Sequence, residues 1–466
     1  MASQRVTEYE RKRLENIKRN EQMMASLKLQ SKANELKSES KRQRTETMKS
    51  YKTTQKKPKT ETPIVIRRSL RTQGIAPDAK GIQDYSTRSF VKSQQRSYLQ
   101  KLEPFSMEEA YLGDSSDRGL IDTINDISDN TPLGKIEKRG SVKESLDLGS
   151  MVLKQENIAR VMQGRILQVT FFPCMDRSMI VAGNKFGDVV FWNADQKEGE
   201  GDGIYLYRAY EAPISGISIK PFSMSKVFTG CYDGFIRMLD FEKESFDLIH
   251  HTDSTIYSLS QRPQDPDLLY FGGYGFLNIW DTRAGKLSSS QQLHDNKRIN
   301  TIDFNQVNTN LMATSSTDKT ARIWDLRQMN SKEPKCLKSV QHKRSVHSAY
   351  FSPSGNSLAT TSLDNYVGIF SGVDYENASM ISHNNRTGRW LSTFRAIWGW
   401  DDTSLFIGNM NKEVDVIHTD GGISHLRSYH MTAIPCRFAA HPHKVGTLAA
   451  TTSGGQIYLW TQEVEK

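Results

Sequence analysis

The sequence predicts an all-β protein, a seven-bladed β-propeller that follows a long, basic and largely disordered N-terminal arm. Two observations predict this arrangement. Short apolar strands separated by Gly, Asp, Asn, Ser and Pro turns begin near Gly164 and recur at a regular interval up to the C-terminus. The positive charge of the 466-residue chain lies almost entirely before that point. We therefore divide the chain into an arm at residues 1–150 and a propeller at residues 151–466.

The arm carries the excess of positive charge. Its first 100 residues contain 24 Lys and Arg against 10 Asp and Glu, whereas residues 151–466 contain 32 of each. Residues 1–60 are polar and poor in aromatic side chains, so they bury too little apolar surface to offset the entropy of folding. A weak helical period predicts one short helix near residues 8–29. A basic arm of this kind either meets a polyanion such as nucleic acid or remains a solvated tail.

Composition excludes several classes of protein. No apolar run approaches the roughly 18 residues needed to cross a bilayer, and the N-terminus lacks the apolar core of a secretory signal. We therefore expect a soluble intracellular protein with no membrane partner. The four cysteines are widely separated, a spacing that predicts neither a disulfide framework nor a zinc module. Basic clusters at residues 56–59 and 67–71 are typical of nuclear import or of phosphate contact.

The repeat is defined by seven strand ends. Their spacing of 41 to 47 residues is close to the roughly 40–45 residues of WD repeats and predicts seven four-stranded blades. The residues that mark these ends are Trp192, Leu239, Trp280, Trp324, Phe370, Ile417 and Trp460. We expect them to pack in the core. Asp233, Asp318 and Asp364 fall in the turns before such strands, where a carboxylate accepts backbone N–H bonds and stabilises a hairpin.

No group of residues in the sequence has the pattern of a catalytic centre. The chain contains neither a phosphate-binding Gly-rich loop nor a Gly-x-Ser-x-Gly nucleophile motif. The His250–His251 pair and the pair His441 and His443 lack a cysteine or carboxylate at metal-ligand spacing. We predict a protein that is not an enzyme and has no metal or cofactor site. Its function should therefore reside in loops displayed by the propeller.

Cations recur in the loops that lead into the first, fourth and fifth blades, namely Arg165, Lys297, Arg298, Lys343 and Arg344. Because these loops occupy equivalent positions, we expect their side chains to form a ring on one rim, together with Lys185 from a turn of the first blade. Such a ring would neutralise DNA phosphates. The alternative, that surface loops simply prefer Lys and Arg, remains open at this stage.

A longer loop follows the fifth blade and ends in Arg389 and Trp390. An exposed Trp beside an Arg suits stacking on a base or insertion into a duplex. A loop packed against the propeller is the alternative.

Three stretches of the chain resemble the WD-repeat protein 76 family, whose propeller is similar to the small subunit of the UV-damaged-DNA-binding complex. They are EYERKRLENI at residues 8–17, RRSLR with GIAP at residues 67–77, and RTGRWL at residues 386–391. The resemblance implies a nuclear, chromatin-associated protein that prefers damaged or modified DNA. It also implies phosphate contacts by Arg165, Lys185, Lys297 and Arg298. That propeller inserts a hairpin into the lesion, and the first residue of the hairpin is aromatic. Gly388 stands at this first position here, so the resemblance leaves Trp390 as the aromatic residue that would enter the duplex.

Two consecutive blades end in sequences similar to the Trp-Asp-x-Arg boxes by which some propellers dock on the adaptor of cullin-RING ubiquitin ligases. Their residues are Trp280, Asp281 and Arg283, then Trp324, Asp325 and Arg327. This similarity implies a second function as a substrate receptor of such a ligase. Alternatively, the Trp-Asp pairs belong only to the repeat.

Overall fold

A computed structural model describes residues 102–113, 116–130, 146–196, 201–329 and 334–463, together with six positions between 11 and 22. The chain divides into two compact units, Met1–Phe90 and Val91–Lys466. In the first unit, the six described positions are helical and exposed, and they fall within the helix predicted near residues 8–29. The rest of the predicted disordered segment, and both basic clusters, lie outside the described residues.

Seven antiparallel sheets form the blades of the second unit. Each blade places its strands in chain order from the channel outward. Blade 1 contains β4 (Ile166–Phe171), β5 (Met179–Asn184), β6 (Asp188–Asn193) and β7 (Ile204–Arg208). Blade 2 contains β8 (Ile214–Ile219), β9 (Lys226–Cys231), β10 (Phe235–Asp240) and β11 (Ser245–His251). Blade 3 contains β12 (Ser258–Gln261), β13 (Leu268–Gly272), β14 (Phe276–Asp281) and β15 (Lys286–Gln292).

The remaining blades follow the same order. Blade 4 contains β16 (Ile299–Phe304), β17 (Leu311–Ser316), β18 (Thr320–Asp325) and β19 (Lys338–Gln341). Blade 5 contains β20 (Val346–Phe351), β21 (Ser357–Ser362), β22 (Tyr366–Ser371) and β23 (Asn377–Ser382). Blade 6 contains β24 (Ile397–Trp398), β25 (Ser404–Gly408), β26 (Val414–His418) and β27 (Ile423–Leu426). Blade 7 contains β28 (Pro435–Ala440), β29 (Leu448–Thr452) and β30 (Gln456–Gln462).

The blades close into a ring. The innermost strands contact one another in succession, from β4 and β8 round to β28, and β28 contacts β4 again. Blade 7 obtains its outer strand from the chain that precedes blade 1, because β2 (Met151–Val152) and β3 (Ile158–Arg160) both pair with β30. All seven strand ends that marked the repeat lie on the third strand of a blade. The predicted seven-bladed propeller is confirmed.

Residues 102–130, which the sequence analysis assigns to the arm, pack on blades 1 and 2. They contain β1 (Phe105–Ser106), α1 (Met107–Ala110) and α2 (Arg118–Asn130). Strand β1 pairs with β11 as a fifth strand of blade 2, and the Phe105 ring stacks on the Phe246 ring with 5.1 Å between centroids. The Tyr207 hydroxyl donates to Asp117 Oδ2 at 3.0 Å. We call residues 102–130 the strap.

Helix α2 of the strap is amphipathic. Its buried residues Leu120, Ile121, Ile124 and Ile127 recur at intervals of one turn, so they lie on one face of the helix. That face joins the hydrophobic core of blades 1 and 2. Within the described ranges, short 3₁₀ turns also lie at Leu148–Ser150, Gln155–Asn157 and Leu326–Gln328. No helix in the described ranges is long and apolar enough to cross a membrane.

A buried hydrogen-bond chain stabilises blade 4. His294 lies in the loop before the blade, and its Nδ1 is 2.7 Å from Asp318 Oδ2. His294 Nε2 is 2.8 Å from Thr314 Oγ1, which also accepts a bond from Trp324 Nε1 at 2.8 Å. Burial raises the pKa of Asp318, but the hydrogen bonds from His294 and Thr320 outweigh burial and hold this pKa below its usual range. These hydrogen bonds therefore tie two strands of the blade, β17 and β18, to the preceding loop.

Blade 5 repeats most of this series of hydrogen bonds. His342 Nδ1 is 3.1 Å from Asp364 Oδ2, and His342 Nε2 is 2.9 Å from Thr360 Oγ1. Phe370 stands at the position that Trp324 occupies in blade 4, so blade 5 lacks the hydrogen bond from an indole N–H to the threonine hydroxyl.

We expect the Asp318→Ala variant to lose about 2–4 kcal/mol of unfolding free energy, because it leaves the buried His294 without its carboxylate partner. Urea denaturation followed by circular dichroism measures this loss. Asp253→Ala, at an exposed turn, is the matched control and should change the value by about 0.5 kcal/mol or less. Equal losses in the two variants would contradict the structural role of Asp318.

Candidate nucleic-acid interface

The loops between blades and the turns between the second and third strands of each blade lie at one end of the propeller, because successive strands alternate in direction. We call this end the upper face and the opposite end the lower face. Backbone bonds join each such turn to the loop beside it. Lys185 N donates to Arg165 O at 3.0 Å in blade 1, and Thr317 N donates to Arg298 O at 3.0 Å in blade 4. The predicted cations of the loops and turns therefore share the upper face.

Arg165, Lys185 and Arg389 lie close together on the upper face. Arg165 Nη2 donates to the backbone oxygen of Arg389 at 2.7 Å. The backbone bond from Lys185 N to Arg165 O places Lys185 beside Arg165. The Lys185 Nζ is 4.4 Å from the centroid of the exposed Phe186 ring. The sequence places these residues in three separate segments, which the closure of the ring brings together.

The loop at residues 383–396 crosses from blade 5 to blades 7 and 1. At its start, Asn385 Nδ2 donates to Ser362 O at 2.8 Å. Near its end, Ser392 N donates to Ser453 Oγ at 3.1 Å and Ser392 Oγ donates to Ile166 O at 3.1 Å. Between these anchors the Trp390 side chain is exposed, with 86% of the residue accessible. The loop is therefore fixed at both ends and displays an indole, and the alternative of a Trp packed against the propeller does not hold.

Arg298 lies in a cluster of tyrosines that the sequence analysis missed. Its Nη2 donates to the Tyr232 hydroxyl at 2.8 Å, and its guanidinium carbon is 4.5 Å from the Tyr257 ring centroid. The Tyr274 ring meets Tyr257 edge to face at 5.0 Å, and Tyr274 remains 55% exposed. These tyrosines come from three different loops and form no local motif. The neighbouring Lys297 side chain is exposed.

The cations form an arc rather than the predicted ring. Lys343 and Arg344 are exposed in the loop before blade 5. The loops before blades 2 and 3 carry the exposed acids Glu211 and Asp253 instead. The cations named above therefore lie in the loops and turns of blades 1, 4 and 5 and in the loop before blade 6, whereas the loops before blades 2 and 3 carry acids. This uneven distribution of charge could have been predicted from the sequence, because Glu211 and Asp253 lie in loops that lead into a blade, as the cations do.

The residues of the two Trp-Asp-x-Arg sequences lie at the lower face. Arg283 and Arg327 are exposed there. Trp324 is buried in the hydrogen-bond chain of blade 4, and Trp280 is half-buried with its ring 4.3 Å from His250. Asp281 Oδ1 accepts from the backbone N–H of Arg283 at 2.9 Å. Asp325 holds Arg327 by two parallel bonds, one of which joins Nη2 to Oδ2 at 2.7 Å. The two arginines are thus the members of these sequences that face solvent.

One described group has the composition of a metal site, namely Glu413, Asp415 and His425 on blade 6. Its atoms already bond to protein partners. His425 Nδ1 is 2.8 Å from Asp415 Oδ1, and Arg427 Nε is 2.7 Å from Glu413 Oε1. The arrangement is that of an ion-pair network on the blade.

Comparison with known proteins assigns the chain to a family. A WD repeat-containing protein 76 from Xenopus laevis is 30% identical over 478 residues, which cover 98% of this chain and 80% of the relative. The chain belongs to the WD repeat-containing protein 76 family. A protein of the same name from Mus musculus is 27% identical over 98% of this chain and 75% of its own. A DNA damage-binding protein cmr1 from Aspergillus oryzae is 24% identical over 99% of this chain and its own full length.

Two of the blades also match a general repeat family. The model of the WD domain, G-beta repeat, matches residues 285–325 and 334–371. These ranges contain the third strands of blades 4 and 5, whose turns carry Asp318 and Asp364. Both ranges also contain the histidine that pairs with the turn carboxylate, His294 in blade 4 and His342 in blade 5.

Proposed function

We propose that the protein is a nuclear, non-enzymatic DNA-binding propeller that acts in the DNA damage response and prefers damaged or modified duplexes. The observation that carries this proposal is the exposed Trp390 on a loop anchored at both ends, beside Arg165, Lys185 and Arg389. The names of relatives, among them DNA damage-binding protein cmr1, support it. The basic clusters of the arm support a nuclear location.

The cations of the arc are suited to the DNA backbone. Within the ranges that the structure describes, the side chains of Lys185, Lys297, Lys343 and Arg344 form no ion pair with a carboxylate. Their charges are therefore available to phosphates, and each contact would release counterions from the duplex. Contacts of this kind position a protein without reading sequence. They explain general affinity for DNA, but not a preference for lesions.

Trp390 supplies the preference. An indole that enters a duplex must separate two stacked bases, which costs a few kcal/mol and costs less where the pairing is already weakened. Stacking on the exposed base then recovers about 1–3 kcal/mol. The hydrogen bonds of Asn385 and Ser392 fix the stem of the loop, so little of this gain is lost in ordering the loop.

We expect Trp390→Ala to lower the preference for damaged over intact duplex by about 1–3 kcal/mol, because one base–aromatic stack is removed. Fluorescence anisotropy with two matched duplexes measures the preference. Trp390→Phe retains a ring and should keep most of it, whereas Lys343→Ala should weaken binding to both duplexes equally. An unchanged preference in Trp390→Ala would reject the role of the indole.

Deletion of residues 1–100 removes a net charge of +14 and should weaken DNA binding and flatten its dependence on salt. The deletion ends before the strap, so the core of blades 1 and 2 stays covered. Affinities measured at two salt concentrations give the slope. A full-length variant in which the Lys and Arg of residues 1–100 are replaced by Gln controls for chain length. If truncated and intact proteins show the same slope, the arm has no part in DNA binding.

A second candidate function is that of a substrate receptor of a cullin-RING ubiquitin ligase. Chromatin proteins are expected partners alongside the ligase adaptor. The observation that favours it is the exposure of Arg283 and Arg327 on the lower face. This position leaves the upper face free, so DNA and an adaptor could bind together. A planar guanidinium offers several donors to one partner.

We expect the double variant with Arg283→Ala and Arg327→Ala to lose association with the ligase adaptor while it keeps its affinity for DNA. Co-purification from nuclease-treated cell extract, with immunoblotting for the adaptor, measures the association. The reciprocal control is Arg344→Ala on the upper face, which should weaken DNA binding and leave the adaptor bound. Adaptor association that persists in the double variant would reject these arginines as the docking residues.

A further inference from the structure

Two buried arginines lie on the wall of the central channel, below the arc of cations. Arg395 precedes the inner strand of blade 6, and its Nη2 reaches across to Asn300 O of blade 4 at 3.3 Å. Arg437 lies on the inner strand of blade 7, and its Nε donates to Leu167 O of blade 1 at 3.0 Å. Each residue is only 7% exposed. Together they connect the inner strands of four blades.

His347 lies on the inner strand of blade 5, within electrostatic reach of these two arginines and of Arg298. Asn300 accepts the bond from Arg395 and donates its own Nδ2 to Val346 O at 2.6 Å, next to the histidine. Burial lowers the pKa of His347 to about 3, and the charges of Arg395, Arg437 and Arg298 add to this effect. The histidine is therefore neutral at physiological pH. Its Nε2 is buried without a hydrogen-bond partner, as are the Nε atoms of Arg298 and Arg395.

No carboxylate balances these three charges within the described residues. The hydrogen bonds of the three guanidinium groups end on neutral oxygens, namely those of Tyr232, Asn300, Leu167, Thr393 and Cys436. Asp303 is the one carboxylate on the seven inner strands. Asp303 lies three positions beyond Asn300 along β16, toward the lower face, where its Oδ2 accepts from Phe351 N at 2.7 Å. Uncompensated buried charges of one sign are costly, and an anion from solution would reduce that cost.

We propose that the upper end of the central channel is a binding site for a phosphate group, formed by Arg298, Arg395 and Arg437 near His347. The planar fork of a guanidinium matches the spacing of phosphate oxygens, and the unpartnered Nε atoms supply donors beyond those used for the carbonyls. This site does not require DNA binding. The phosphate belongs either to a free phosphate compound or to a DNA strand at the mouth of the channel.

The test is a calorimetric titration of the full chain with inorganic phosphate at constant ionic strength. We expect Arg395→Gln to weaken phosphate binding at least about tenfold, because one guanidinium of the cluster is removed. Arg262→Gln is the matched control. That arginine is also partly buried, but it lies at the lower face and its Nη1 already bonds to Asp265 Oδ2 at 2.6 Å. Its replacement should leave phosphate affinity unchanged.

A second variant answers the question even where Arg395→Gln fails to fold. His347→Glu places a carboxylate among the three guanidinium groups, so it should raise the melting temperature without phosphate and abolish the further rise that phosphate gives the unaltered protein. Equal phosphate affinity in the unaltered protein, Arg395→Gln and His347→Glu would overturn the proposal. The absence of phosphate binding to the unaltered protein at up to about 10 mM would overturn it as well.

A parallel titration with a short oligothymidylate identifies the source of the phosphate. If inorganic phosphate competes with the oligonucleotide and Arg395→Gln weakens both, the group bound is a DNA phosphate. If Arg395→Gln weakens only inorganic phosphate, the ligand is a free phosphate compound. Both results support the site. Failure of the DNA-binding proposal is seen separately, in the variants of Trp390 and Lys343 on the surface.

Discussion

The closure of the propeller is the constraint on which the rest of the structure depends. Strands β2 and β3 precede blade 1 in the chain, yet they complete blade 7 by pairing with β30. This pairing covers a sheet edge that would otherwise be open, and it fixes blade 7 beside blade 1. The loop that carries Trp390 bonds to Ser453 of blade 7 and to Ile166 of blade 1, so its position on the upper face follows from the same closure.

The sequence predicted the features that depend on a regular interval. Strand ends such as Trp324 recur in each repeat, so the number of blades and the shared rim of the loop cations could both be inferred. Arg395 and Arg437 could not be, because they meet His347 only through contacts between strands of different blades. The strap was hidden for another reason. In sequence, the apolar residues of α2 alternate with exposed acids such as Asp122 and Asp126, which makes the segment resemble the charged chain before it.

Three arginines proposed as binding residues differ in how they are held. On the lower face, Arg327 is oriented by the buried carboxylate of Asp325. On the upper face, Arg165 and Arg298 are oriented by a backbone oxygen and a tyrosine hydroxyl. A neutral partner fixes a guanidinium while leaving its full charge to act on the solvent. Arg165 and Arg298 therefore keep their full charge toward solvent, whereas Arg327 presents a guanidinium whose orientation is set by a carboxylate.

The loop at residues 383–396 contributes both to the upper face and to the wall of the central channel. Its tip displays Trp390, while Thr393 accepts a bond from Arg437 and Arg395 itself forms part of the channel wall. A ligand that binds in the channel and shifts this stretch of backbone also changes the free energy with which the Trp390 indole enters a duplex. Coupling of this kind is reciprocal: if occupancy of the channel changes the affinity for a distorted duplex by some factor, the duplex changes the affinity of the channel by the same factor.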